Sequence, residues 1–117
     1  MPVLEPVELA KKIVDVASDK QATDVLLLDV QGVCNFTDYL VLCSADTERQ
    51  ISAVTREIER TVGAGPNVYC QKQGTADCGW VVIDMGSVVV HVFSAEKREY
   101  YGLESLWNKA VPLVRMQ

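Results

Sequence analysis

Apolar positions recur at helical spacing in three segments of the chain and run in short alternating or unbroken stretches in five others. VELAKKIVDVASDK, residues 7–20, reads as a helix. Ala10, Ile13, Val14 and Ala17 fall on one stripe, and Pro6 suits a first turn because its missing N–H has no helical partner to lose. DVLLLDV (24–30) and YLVLCS (39–44) are unbroken apolar runs of strand length, the pattern of strands covered on both faces. Asp46 or Thr47 caps a second helix, which buries Ile51, Val54, Ile58 and Val62, turns Glu48 and Glu57 outward and stops at Gly63 and Gly65. NVYCQ (67–71) reads as a third strand at a sheet edge, closed by Lys72 and Gln73, and QGTADCG as a loop. SAEKREYYGLESLWN (94–108) reads as a helix capped by Ser94, with Trp107 packed into the core beside Leu103 and Leu106. The tail after Pro112 is expected to be loose.

The richest pattern is GWVVIDMGSVVVHVF, residues 79–93. Gly86-Ser87 between two β-branched runs predicts a two-residue hairpin turn, glycine taking the positive φ. The register then sets Asp84 opposite Val89, Val82 opposite His91 and Trp80 opposite Phe93. Side chains alternate across a strand. Val81, Ile83, Met85, Val88, Val90 and Val92 therefore share a wholly apolar face. Trp80, Val82, Asp84, Val89, His91 and Phe93 share a mixed one. A slip of one residue would exchange the faces of one strand, so the clean apolar set supports this pairing.

The element order is α-β-β-α-β-β-β-α. It predicts a single α/β domain over residues 1–117, with one mixed five-stranded sheet, informative motifs over about 7–107 and a loose tail at 108–117. Three helices are expected to cover one sheet face and leave the mixed hairpin face partly open.

The chain has 117 residues, 49% apolar, ample for one core. No apolar run is long enough to cross a membrane, and the first residues lack the pattern of a signal or transit peptide, so a cytoplasmic protein is expected. The four cysteines (Cys34, Cys43, Cys70, Cys78) form no CxxC pair and there is one histidine, so neither zinc nor a disulfide framework is expected. Free, mostly buried thiols are the expectation. Net charge is −5, with eleven scattered Lys and Arg. That disfavours direct binding to a phosphate backbone, which needs clustered basic charge, and leaves room for a basic protein partner.

Catalytic constellations are missing from the sequence. His91 is the sole histidine base and no nucleophile motif adjoins it. There is no GxxxxGK[ST] and no GxGxxG. Magnesium sites favour paired acids, whereas Asp84 stands alone and Asp24 and Asp29 lie five apart. No cofactor or metal is expected. Trp80 is read as an interface residue in preference to a core one: the face it shares with Asp84 and His91 would, if buried, need partners for both polar groups. Asp84 is either a solvated carboxylate or one member of an ion pair.

These residues, in order, resemble a known family. Cys34-Asn35-Phe36-Thr37-Asp38-Tyr39-Leu40-Val41-Leu42-Cys43-Ser44 is similar to its FTDY strand, and Arg49-Gln50 to the pair that opens its next helix. Gly79 to Gly86, Val90 to Phe93 and Arg98 to Trp107 complete the set. The family is that of the ribosomal silencing factors, or Iojap-like proteins. The resemblance implies a nucleotidyltransferase-like fold without catalytic carboxylates, and a binding role rather than an enzymatic one. It implies attachment to the basic fourteenth protein of the large ribosomal subunit at the intersubunit face. There the factor blocks joining of the small subunit and represses translation under nutrient limitation. It also implies that isolated members form homodimers. Carried over position by position, Trp80, Asp84 and His91 match motif residues of the hairpin, and Arg98, Tyr101 and Glu104 match residues of the last helix. With Phe93 they are the expected partner-binding set. One position departs: the family's usual Glu-Gly is here Gln73-Gly74. Losing one rim charge is worth about 1 kcal/mol or less. Two alternatives stand beside this reading: a residual magnesium-dependent nucleotidyltransferase using Asp84, and a homodimer whose contact is the mixed face.

Overall fold

The computed structural model describes residues 5–32, 37–62, 70–101 and 111–116. In chain order these form α1 (Pro6–Asp19), β1 (Thr23–Asp29), β2 (Tyr39–Ala45), α2 (Glu48–Thr61), β3 (Gln71–Thr75), a short 3-10 turn (Ala76–Cys78), β4 (Trp80–Asp84), β5 (Val88–Ser94), α3 (Ala95–Tyr101) and β6 (Val111–Met116).

Among the described residues the sheet has six strands, in the order β3-β4-β5-β2-β1-β6. β2 and β5 run parallel at its centre, and every other pair is antiparallel. Five strands were expected. The sixth comes from the tail, which forms β6 against β1 in place of a loose end. The third strand also lies elsewhere than expected: β3 is QKQGT, all exposed, and residues 63–69 lie outside the described residues.

α1 and α2 follow their apolar stripes. Ala10, Ile13, Val14 and Ala17 of α1 and Ile51, Val54 and Ile58 of α2 are at most 2% exposed. Of the two candidate caps it is Thr47 that closes α2, its hydroxyl accepting the Gln50 N–H at 3.1 Å. Gln50 also reaches across to α1: its side-chain amide donates to the Gln21 carbonyl at 2.9 Å, beside the turn where Gln21 adopts φ 65°.

β2 is buried along its whole length, as a central strand with both faces covered must be. Its odd positions (Tyr39, Val41, Cys43) join the helix-side core with Val25, Leu27, Val81, Ile83, Val90 and Val92. Its even positions, Leu40 and Leu42, join a second cluster with Leu26, Leu28, Val30, Val89 and Phe93. That second cluster buries the middle of this face, its members 0–6% exposed, whereas Trp80, Val82, Asp84 and His91 are half-buried, so the mixed hairpin face is partly open at its β4 end. α3 starts on this side, capped as expected by Ser94, whose hydroxyl accepts the Lys97 N–H at 3.2 Å. The stretch 102–110, with Trp107, lies outside the described residues.

Cys43 is buried, and burial pushes its thiol up to about 12. Cys70 is half-buried, its thiol also raised by burial, and Cys78 is exposed. Among the described cysteines the expectation of buried thiols thus holds fully for Cys43 alone, and Cys34 lies outside the described residues.

Candidate functional site

The β4–β5 hairpin has the register that its alternation predicts, with Trp80 opposite Phe93, Val82 opposite His91 and Asp84 opposite Val89. Gly86 makes the turn at φ 80°, and the Met85 N–H donates to the Val88 carbonyl at 2.9 Å. Among the described residues Asp84 joins no ion pair, and its carboxylate stays at the exposed end of the hairpin. It is half-buried, and its Oδ1 accepts the Gly86 N–H at 2.8 Å, an Asx-type closure of the turn. The Ser87 carbonyl accepts both the Asp38 and Tyr39 N–H groups at 3.0 Å, which docks the turn onto the start of β2.

Three rings form the centre of the mixed face. Trp80 stacks on Phe93 with centroids 5.2 Å apart, and His91 stacks on Phe93 at 5.8 Å with the planes 8° apart. The Trp80 indole N–H donates to His91 Nδ1 at 3.1 Å. Burial pulls the His91 pKa down to about 4, so the ring is neutral at physiological pH. A neutral imidazole can accept this bond, whereas an imidazolium could not.

The face is graded. Phe93 is fully buried, a foundation for the other two rings and not itself a contact surface. Trp80, Val82, Asp84 and His91 are half-buried. Beyond them β3 adds Gln71, Gln73 and Thr75, opposite Asp84, Val82 and Trp80 and therefore on the same face, all exposed. These three were not expected on the face, because the apolar run at 67–71 marks the strand earlier in the chain. The alternation Gln-x-Gln-x-Thr next to a hairpin was the available signal. Gln73, where this chain departs from the family pattern, thus stands in one row with Val82, His91 and Leu42. Gly74 beside it has φ 86°, and a Cβ there would lie 2.4 Å from the Trp80 carbonyl oxygen, so only glycine lets β3 pass so close to the tryptophan backbone.

The last helix contributes differently from expectation. Arg98 is 8% exposed, and its Nη1 donates to the Asp24 carbonyl at 2.6 Å and to Ser44 Oγ at 3.0 Å. It is an internal strut, and the partner-facing role expected of it is corrected. Tyr101 ends α3, but its side chain, like all of Glu104, lies outside the described residues. No group of three or more His, Cys, Asp or Glu residues that could hold a metal occurs among the described residues. No described helix is long and apolar enough to cross a membrane.

Residues 3–117 match the family model described as "Ribosomal silencing factor during starvation". The chain is 38% identical over 92 residues to a ribosomal silencing factor of Bacillus subtilis, covering 79% of this chain and 78% of that protein. It is 34% identical over 110 residues to one of Halalkalibacterium halodurans, covering 94% and 93%. A crystal structure of a Chromobacterium violaceum protein superposes with a TM-score of 0.83 at 27% identity, over 90% of this chain and 88% of that one.

Proposed function

The chain belongs to the ribosomal silencing factor family, and from that membership we propose that it binds the large ribosomal subunit and keeps the small subunit from joining. The match along residues 3–117 is the observation that carries this reading. The mechanism is occupancy: a bound domain fills space that the small subunit needs. Repression of translation under nutrient limitation follows from it.

The partner in this reading is the basic fourteenth protein of the large subunit. A net charge of −5 suits such a partner. The contact surface is the accessible part of the mixed face, formed by β3 and β4. Trp80 is its aromatic anchor, a role that large half-buried rings commonly fill at hot spots. Asp84 and the exposed side chains of β3 form its polar rim. The same reading takes the mixed sheet to be of nucleotidyltransferase type, takes the protein to act in the cytoplasm, and allows a homodimer away from the ribosome.

Co-sedimentation with isolated large subunits, followed by addition of small subunits, tests the proposal. The protein pellets with large subunits and lowers the yield of joined ribosomes. Protein that stays in the supernatant across a range of salt overturns it. Trp80→Ala, checked for folding by circular dichroism, binds large subunits at least tenfold more weakly, the scale of one hot-spot residue at about 1.4 kcal/mol or more. A folded variant that binds like wild type removes Trp80 as the anchor.

A further inference from the structure

The second nitrogen of His91 leads to an inference that rests on the binding reading above and refines it. Trp80 Nε1 can only donate, so His91 Nδ1, 3.1 Å away, holds a lone pair. A neutral ring with a bare Nδ1 carries its proton on Nε2. Among the described residues no second hydrogen bond joins this ring. No fully buried side-chain nitrogen or oxygen there lacks a partner either, so Nε2 lies at the accessible edge of this half-buried ring. The mixed face therefore presents one oriented donor, held by stacking on Phe93 and by the Trp80 indole.

We propose that Trp80 is a positioning residue that fixes His91 in its Nε2–H form, and that His91 donates from Nε2 to a neutral carbonyl oxygen of the ribosomal partner protein. The surroundings select a neutral acceptor. Val82 and Leu42 flank His91 in its row across the sheet, Phe93 lies against its ring, and Asp84 stands on the same face. An anionic acceptor, whether carboxylate or phosphate, favours imidazolium. Protonating Nδ1 would set two donors against each other at the Trp80 contact. The negative charge of Asp84 and of the whole chain opposes an anion as well.

Nitrogen NMR of the free, ¹⁵N-histidine-labelled chain tests the first half, and a single histidine makes its two nitrogen signals unambiguous. Nε2 is protonated and Nδ1 bare in the wild type. In Trp80→Phe, which keeps a ring against Phe93 but removes the indole N–H, the two forms mix. A bare Nε2 in the wild type, or an unchanged ratio in Trp80→Phe, overturns the positioning role. Co-sedimentation with isolated large subunits tests the second half. His91→Phe fills the site without a donor and binds about five- to tenfold more weakly, the scale of one neutral hydrogen bond. His91→Gln, whose amide can donate from a similar reach, recovers most of the loss. The ratio of wild-type to His91→Phe affinity stays constant as salt rises; a ratio that shrinks with salt identifies a charged acceptor and overturns the neutral one. If the wild type binds and His91→Phe binds equally well, the donor is overturned while the binding reading stands. If the wild type does not pellet, both fall.

Discussion

A buried guanidinium holds one end of the sheet together. Arg98 of α3 bonds to the backbone of Asp24 and the hydroxyl of Ser44, so one side chain ties a helix to β1 and β2. His91 acts on stability through protons. Its folded pKa of about 4 lies below the ordinary histidine value of 6.5. The unfolded chain therefore takes up a proton first as pH falls. The stabilisation is fully present above about pH 6.5 and is lost progressively as pH drops toward 4. The loss is roughly 2 kcal/mol once the accessible edge of the ring is discounted. Urea unfolding between pH 7 and pH 4 measures it, and His91→Phe flattens that part of the profile. Alternation alone gave the face of every hairpin residue correctly, because period-two spacing is a local property. It could not tell what covers a face. Hence Phe93 and Arg98 are buried where contact residues were expected, and Asp84 is engaged with its own turn.

At the scale of elements, the two sheet edges were the least legible. β3 is wholly polar and exposed, and an edge strand that packs nothing on its far side leaves no hydrophobic signature. Its place is secured by pairing with β4 and by an ion pair from Lys72 to Glu59 of α2 at 3.4 Å. β6 was hidden by Pro112, a residue that argues against a strand interior. It is tolerated because β6 is an edge, and the register with β1 shifts between Leu27 and Leu28, at the proline. Removing residues 111–117 turns β1, with its Leu26-Leu27-Leu28 run, into a bare edge. The truncated chain unfolds at a temperature lower by several degrees and self-associates, as thermal unfolding followed by light scattering shows.

The charge of the whole molecule bears on how it meets a partner. Eleven basic against sixteen acidic residues give the −5 that suits a basic protein surface. Under the proposed function, association with large subunits slows as salt rises from low to physiological strength, while the off-rate changes little, because dispersed charge steers encounter more than it holds a complex. Stopped-flow mixing at two salt concentrations separates the two rates.

The parallel pairing of β2 with β5 has a kinetic consequence. Tyr39 lies beside Val88, and the strands between and beyond them are added to that pair on either side. The centre of the sheet is thus closed by segments distant in the chain, and a long loop must be organised before its first contacts repay the lost freedom. Folding waits on the arrival of β5. Disturbances in β2 or β5 slow the approach to the native state, whereas disturbances in β3 or β6 shorten its lifetime.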